Sequence, residues 1–249
     1  MKSESTGSLN PKESTNSVIT TGPLLVNGDP LSGIPNQRSL GEGASFSGNE
    51  RDSIFLNKGG KDFVNISGIT GLDDPGDGRS FAILDYDRDG WPDVVVTSVN
   101  APAIQLYRNR MGSDSFSEVS KNKMLAIRFV GGNHRSMPSK KWSNRDGIGA
   151  RVTINFDDTK IVRELHAGEG LAAQNSSTLI VGMGERSYAN SMTVRWPSGK
   201  TQTIGNISEN MLLTFYENPA HSRKGSAVTM TPYKVDSIHP PKPREPALR

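Results

Sequence analysis

The chain has 249 residues, of which 33% are hydrophobic and 22% are charged, with a formal net charge of +3 and no cysteine. This hydrophobic fraction is low for a chain that is packed throughout, so we expect part of it to lie outside any core. The absence of cysteine excludes disulfides and thiolate metal sites. The small net charge, without a basic stripe carrying interleaved aromatic residues, argues against nucleic-acid binding.

Both ends of the chain have the composition of disordered tails. Residues 1–45 are rich in Ser, Thr, Asn, Gly and Pro, and residues 219–249 hold six prolines and six Lys or Arg against two acids. We therefore predict disorder in both segments. The first residues lack the apolar core of a signal peptide, and no run of about 18 apolar residues occurs, so we expect no export signal and no membrane span in this chain.

Residues 46–120 have the pattern of short strands separated by Gly-rich and Asp-rich turns. Runs of apolar, β-branched and aromatic residues occur at Ser53–Leu56, at Phe63–Ile66, on both sides of an Asp-rich loop, and at Ala103–Tyr107. Such runs predict strands. Together they form the parts of one β-propeller-like blade, and a single blade leaves its sheet edges and faces uncovered.

Four aspartates in the loop between two of these strands indicate a specific site. They occupy positions 1, 3, 5 and 9 of the loop and are Asp85, Asp87, Asp89 and Asp93. Carboxylates at this spacing repel one another unless a cation lies among them, and oxygen ligands suit Ca²⁺. Gly90 allows the sharp turn, and the carbonyl of Trp91 at position 7 completes the predicted oxygen shell.

The flanking residues decide which kind of calcium loop this is. An EF-hand has a helix on each side and a Glu at position 12, whereas this chain has Val96 there and strand-like residues on both sides. A short loop between two strands is typical of the FG-GAP repeats of integrin-type propellers. The alternative is a polar turn without metal, but turn chemistry requires only one or two aspartates.

Residues 121–218 predict seven further strands and little helix. Turns recur about every ten residues, which is typical of a β-sandwich or a barrel. Asp157-Asp158 and Pro197–Gly199 have the composition of hairpin turns. The predicted strands are Leu125–Val130, Val152–Phe156, Ile161–Leu165, Leu179–Val181, Met192–Trp196, Thr201–Ile204 and Leu212–Tyr216.

Five blocks in this region resemble the ASPIC/UnbV domain in order and spacing. They are Asn144–Val152, Ala167–Gln174, Val181–Gly184, Val194–Lys200 and Tyr216-Glu217. The stretch 46–112, with Phe55–Asn57 and Leu106–Asn109 around the Asp-rich loop, resembles the FG-GAP repeat that precedes this domain in bacterial relatives of cartilage acidic protein.

The resemblance implies an all-β, non-enzymatic, calcium-binding protein that is usually exported to the periplasm or the cell exterior. Its metal ligands correspond to Asp85, Asp87, Asp89 and Asp93. Family members commonly carry several FG-GAP repeats that close a propeller, whereas this chain has room for one. We therefore expect the blade to pack on the sandwich or on another chain.

Other residues permit a second site. Asn144 and Asp146 precede two glycines and suit either a ligand site or turn capping with an ion pair, and Glu169 permits the same two interpretations. Turn capping is the simpler interpretation. Trp142 and Trp196 suit either the core or a sugar-stacking platform, and the core is favoured because a small sandwich needs large buried side chains.

The combined prediction is an all-β protein in which one FG-GAP-type blade (46–120) with a Ca²⁺ loop packs on a β-sandwich (121–218) between two tails. We predict a binding or adhesion module that presents its sandwich to a protein or glycan ligand, with no catalytic residues. The alternative is a carbohydrate- or metabolite-active enzyme, or its accessory domain, that uses Asp146, Glu169 and His166. A third interpretation is a truncated descendant of a longer protein.

Overall fold

The computed structural model describes residues 51–99, 102–112 and 122–233. The predicted tail 1–45 lies outside the described residues, as does 234–249. The chain divides into two compact units, with boundaries after Ser80, Val95 and Gln105. The second unit combines Phe81–Val95, which holds the Asp-rich loop, with the described residues from Leu106 onward.

The strands predicted for the blade are present and are divided between two small sheets. The first is a hairpin of β1 (Phe55–Lys58) and β2 (Asp62–Asn65), followed by one short helix, α1 (Ser67–Thr70). The second has the order β3-β4-β5 and consists of β3 (Gly78–Leu84), β4 (Asp93–Ser98) and β5 (Ile104–Tyr107). The Asp-rich loop joins β3 to β4, as the β-branched residues on its two sides predict.

Eight further strands in the second unit form two four-stranded sheets. They are β6 (Lys123–Val130), β7 (Arg151–Asn155), β8 (Lys160–Glu164), β9 (Leu179–Gly184), β10 (Tyr188–Arg195), β11 (Thr201–Ser208), β12 (Met211–Tyr216) and β13 (Val228–Pro232). One sheet has the order β11-β10-β7-β8 and the other has the order β13-β12-β6-β9. All seven strands predicted between 121 and 218 are confirmed, and the all-β class with them.

The two sheets enclose one hydrophobic core, to which both contribute alternate residues. Leu125 and Ile127 of β6 and Val152 and Ile154 of β7 are all fully buried in it. Trp196 is also a core residue, and its ring makes an edge-on contact with Phe129 at 5.8 Å between ring centroids. The separate sheets and shared core identify a sandwich. The prediction of a core position is correct for Trp196 but not for Trp142, which is half-buried and lies outside the core cluster.

Both hairpin turns join the strands that the sequence predicted. The Asp157-Asp158 turn connects the antiparallel strands β7 and β8, and Pro197–Gly199 connects β10 to β11. In the second hairpin Val194 lies opposite Gln202. Gly199 has φ = +89°, a conformation that a residue without Cβ adopts at little cost.

Residues 219–233, which the sequence assigned to a tail, form ordered structure instead. A single 3-10 turn at Pro219–His221 is followed by β13, which pairs antiparallel with β12. Tyr233, directly after β13, is 5% exposed. Pro232 is compatible with this strand because β13 is an edge strand and needs fewer backbone donors. Within the described ranges, no helix has the length and apolarity needed to cross a bilayer.

One buried carboxylate fixes the loop that follows β6. Glu217 is 3% exposed and accepts hydrogen bonds from the backbone N–H groups of Gly132, at 2.9 Å, and Ser143, at 2.7 Å. The hydroxyl groups of Ser143 and Ser198 also donate to it. These four donors replace the solvation that the carboxylate loses on burial.

We predict that Glu217→Ala lowers the free energy of unfolding by about 2–4 kcal/mol, because it leaves buried donors without an acceptor. Glu217→Gln keeps part of the hydrogen bonding and should cost less. Urea denaturation followed by circular dichroism measures both values.

The matched control is Glu185→Gln, because Glu185 is an exposed residue on the same sandwich. The urea concentration at the midpoint of unfolding of Glu185→Gln should equal that of the wild type. A Glu217→Ala protein as stable as the wild type would contradict the assigned role of Glu217.

Candidate metal site

The Asp-rich loop gathers three of the four predicted carboxylates. Asp85, Asp87 and Asp89 each offer one carboxylate oxygen, and these three oxygens all lie within 4.8 Å of one another. The side chains are partly buried. Arg88 and Gly90 both have positive φ, at 58° and 91°, so the loop turns sharply at the two positions that flank Asp89.

Backbone N–H groups hold the triad in place. Asp85 accepts hydrogen bonds from the N–H of Asp89 at 3.1 Å and from the N–H of Gly90 at 2.9 Å. Asp89 in turn accepts from the N–H of Trp91 at 2.8 Å. Each carboxylate therefore folds back on the residues that follow it, and the loop aims its oxygens at one point.

An arginine outside the loop neutralises part of this charge. Oδ2 of Asp87 is shielded from solvent and lies 2.7 Å from Nη2 of Arg108. The two groups form an ion pair, but this oxygen accepts no hydrogen bond. The same nitrogen lies 3.9 Å from Oδ2 of Asp89. The Arg108 side chain is 47% exposed, so solvent screens its charge more than that of a buried group.

The fourth aspartate has a different environment. Asp93 is 1% exposed, and its two oxygens accept hydrogen bonds from the N–H of Tyr86, at 3.0 Å, and of Asn109, at 2.8 Å. It therefore closes the base of the loop. A metal-ligand role for Asp93 and for the carbonyl of Trp91 remains a prediction.

Burial and mutual repulsion raise the pKa values of the loop carboxyls. Burial is the largest cause for Asp85 and Asp89, and the charges of neighbouring aspartates raise both pKa values further. Burial also raises the pKa of Asp93, opposed by its two backbone donors. A divalent cation among the oxygens would favour the charged carboxylates and relieve the repulsion.

The donor set fits calcium. Hard carboxylate oxygens on a short flexible loop suit the larger ion and its variable geometry better than they suit octahedral Mg²⁺. Asp87 also presents a solvent-shielded oxygen without a hydrogen-bond donor, and Arg108 is its cationic partner. Asp85, Asp87 and Asp89 are the residues that would hold the ion.

The loop is attached to the outer face of the β13-β12-β6-β9 sheet. The Tyr233 hydroxyl interacts with the carboxylate of Asp85, and each group shifts the pKa of the other. The guanidinium carbon of Arg88 lies 4.9 Å from the centre of the Tyr233 ring. Burial, followed by the charge of Asp85, raises the pKa of Tyr233. Met124 of β6 packs so close to Gly90 that a Cβ there would lie 3.1 Å from its Cγ.

Sequence reasoning missed Arg108 and Tyr233. Leu106–Asn109 was noted only as part of a family motif, and Tyr233 lies in the segment interpreted as a tail. Neither residue is near the loop in sequence, so no local spacing could reveal the contact. The one available signal was the excess of negative charge in the loop, which requires a basic partner or a cation.

The second site that the sequence permitted is occupied by local turn contacts. The amide of Asn144 bonds both the N–H and the carbonyl of Ile148, and Arg145 pairs with Asp146 at 3.1 Å. The side chain of Asn175 donates to Glu169. These contacts agree with the simpler interpretation of turn capping and an ion pair.

Comparisons with known proteins find family matches in two regions of the chain. Residues 44–96 match the FG-GAP-like repeat, and residues 140–222 match the family described as ASPIC and UnbV. The resemblance indicated by the sequence motifs is therefore confirmed. The FG-GAP-like match ends within β4 and includes Asp85, Asp87, Asp89 and Asp93.

One known relative is cartilage acidic protein 1 of Xenopus tropicalis. It is 38% identical over 82 residues, which cover 31% of this chain and 13% of that protein. The chain therefore spans only a small part of the length of this relative.

We predict that Arg108→Gln raises the affinity for calcium about 3- to 10-fold, because the positive charge of Arg108 competes with a cation for Asp87 and Asp89. Isothermal titration calorimetry at low ionic strength measures the change. Added salt should narrow the difference between the variant and the wild type.

Arg110→Gln is the matched control, since it removes the same charge from an exposed residue two positions along the chain. An equal increase in calcium affinity in both variants would show that the effect comes from the net charge of the protein and not from the site. Unchanged or weaker binding by Arg108→Gln would contradict competition at the site.

Proposed function

We propose that this protein is a non-enzymatic, calcium-binding β module that acts in binding or adhesion outside the cytoplasm. The observation that carries the proposal is the convergence of the carboxylates of Asp85, Asp87 and Asp89 in one loop. Among the ion pairs of the described residues, only those of Arg108 offset the negative charge of this loop. The match of this segment to an FG-GAP-like repeat supports the choice of calcium. Export is proposed by analogy with the family.

In the proposed function, calcium has a structural role. Bound to the loop, it would replace repulsion among the three carboxylates with attraction. Because Asp85 contacts Tyr233 and Gly90 contacts Met124, the stabilisation would extend into the sandwich. The sandwich would then present a fixed surface to a protein or glycan ligand.

If the protein were an enzyme, Asp146, Glu169 and His166 would be its candidate active-site residues. Their contacts support the non-enzymatic proposal. Asp146 pairs with the adjacent Arg145, Glu169 accepts from Asn175, and the carbonyl of His166 accepts from Gln174. Each contact is local, and none of them is a hydrogen bond between a nucleophile and a general base.

Calorimetry tests the calcium site. We expect the wild type to bind calcium more tightly than magnesium, and Asp87→Asn to lose most of the affinity. Scanning calorimetry should show that the transition of the unit containing the loop and the sandwich moves upward as one. The expected gain is about 2.7 kcal/mol at a calcium concentration one hundred times Kd.

Asp146→Asn is the control, because Asp146 is an exposed carboxylate outside the loop. It should bind calcium like the wild type. Absence of heat with millimolar calcium, or equal binding by Asp87→Asn, would overturn the proposed metal site. Two separate transitions within this unit, with only one sensitive to calcium, would overturn the coupling of the loop to the sandwich.

A further inference from the structure

A cleft of about 250 Å³ lies beside the Pro197–Gly199 turn, at one end of the outward face of the β11-β10-β7-β8 sheet. We call it the arginine cleft. At about 30 Å³ per water molecule, it has room for roughly eight waters, or for one six-membered ring with its substituents. Its lining residues are Gly149, Arg151, Glu164, Arg195, Trp196, Pro197 and Gly199.

Strand register pairs two arginines that both line this cleft. Arg195 of β10 lies directly opposite Arg151 of β7, and Arg151 lies opposite Glu164 of β8. Like charges directly opposite one another on a sheet are destabilising. The ion pairs of the described residues involve other basic groups. With two arginines against the single carboxylate of Glu164, this row keeps an excess of positive charge.

Three of the residues that line the cleft place no side chain in its opening: two are glycines, and the third is a tryptophan whose ring is buried. Gly149 and Gly199 have φ values of +87° and +89°, which side chains rarely tolerate. A Cβ on Gly149 would lie 3.2 Å from Cγ of Pro197, inside the lining of the cleft. The ring of Trp196 is buried in the core, so it fixes the backbone of the turn and does not cover the opening.

Hydroxyl groups continue the same face of the sheet. Thr201 pairs with Arg195, and Thr193, two residues before Arg195 on β10, lies between Thr153 and Thr203. The hydroxyl oxygens of Thr193 and Thr203 are 3.0 Å apart. A ligand held by the arginines therefore meets a polar surface that can donate and accept hydrogen bonds.

We propose that the arginine cleft binds a singly charged oxyanion carried by a hydroxylated ring, the chemistry of an acidic saccharide. Paired guanidinium forks suit a carboxylate or a sulfate ester. Glu164 accepts a hydrogen bond from a ring hydroxyl and repels a second negative charge, which selects against a phosphate monoester. This inference rests on the proposed function, because it assigns a ligand class to the binding module. The arginine cleft is separate from the aspartate loop, so ligand binding there needs no calcium.

Nuclear magnetic resonance titration of the full chain, in EDTA, tests the proposal with four ligands of one ring size. We expect glucuronate or glucose 6-sulfate to shift the Nε–H signals of Arg151 and Arg195, with glucose 6-phosphate weaker and glucose inactive. Binding of glucuronate identifies a carboxylate, and binding of glucose 6-sulfate identifies a sulfate ester. Arg151→Gln and Arg195→Gln should each weaken binding at least about tenfold.

Arg163→Gln is the matched control, because Arg163 is an exposed arginine that pairs with the buried Val152 and lies on the other face of β8. It should bind like the wild type, and Glu164→Gln should reduce the discrimination against glucose 6-phosphate. N-acetylglycine offers a carboxylate without ring hydroxyls, and equal binding of it would overturn the saccharide class. Failure of both acidic sugars to bind at tens of millimolar, or undiminished binding by both arginine variants, would overturn the site.

Binding at the arginine cleft and binding at the aspartate loop can be measured separately. Binding in EDTA depends only on the cleft, and calcium binding by Asp87 does not require the arginines. Acidic-sugar binding that appears only with calcium and is lost in Asp87→Asn would place the ligand at the aspartate loop, and would overturn the arginine cleft while supporting the metal site.

Discussion

Repulsion among Asp85, Asp87 and Asp89 is the constraint on which the loop and its surroundings depend. Three carboxylates with oxygens within 4.8 Å of one another are stable only if positive charge or directed donors compensate. Backbone N–H groups supply the donors, and Arg108 supplies one positive charge against three negative charges. A divalent cation would supply the larger share of the missing compensation.

The same loop explains why strand β6 is apolar on both faces. Leu125 and Ile127 point into the sandwich core, whereas Met124 and Ala126 belong to a second cluster with Tyr233 on the outer face of the sheet. A strand covered on both faces has a continuous apolar run instead of an alternating pattern. The loop covers part of that outer face, so metal chemistry and sheet packing meet at the same residues.

The sequence predicted what depends on local pattern. Strand positions follow the alternation of apolar residues, and the hairpin turns follow from Asp157-Asp158 and Pro197–Gly199. The positions of Asp85, Asp87 and Asp89 follow from their spacing alone. These features are determined by neighbours within about ten residues.

Features that depend on distant contacts could not be predicted in this way. Strand β13 has few apolar residues of its own and is stabilised by pairing with β12, while Tyr233 is buried by the loop and by β6. Spacing also cannot distinguish a metal ligand from a carboxylate that caps backbone donors, as Asp93 does here. The buried role of Glu217 likewise requires three segments that only the fold brings together.

Hydrogen–deuterium exchange in the sandwich tests the central claim most directly, since the claim is that a cation in the aspartate loop stabilises the sheet through Tyr233. Peptides covering β6 and β13 should exchange more slowly with calcium than with EDTA in the wild type. In Tyr233→Phe, which lacks the hydroxyl that interacts with the Asp85 carboxylate, the slowing should be confined largely to the loop. Calcium-independent exchange in the wild-type β13, or an identical response in Tyr233→Phe, would contradict the account.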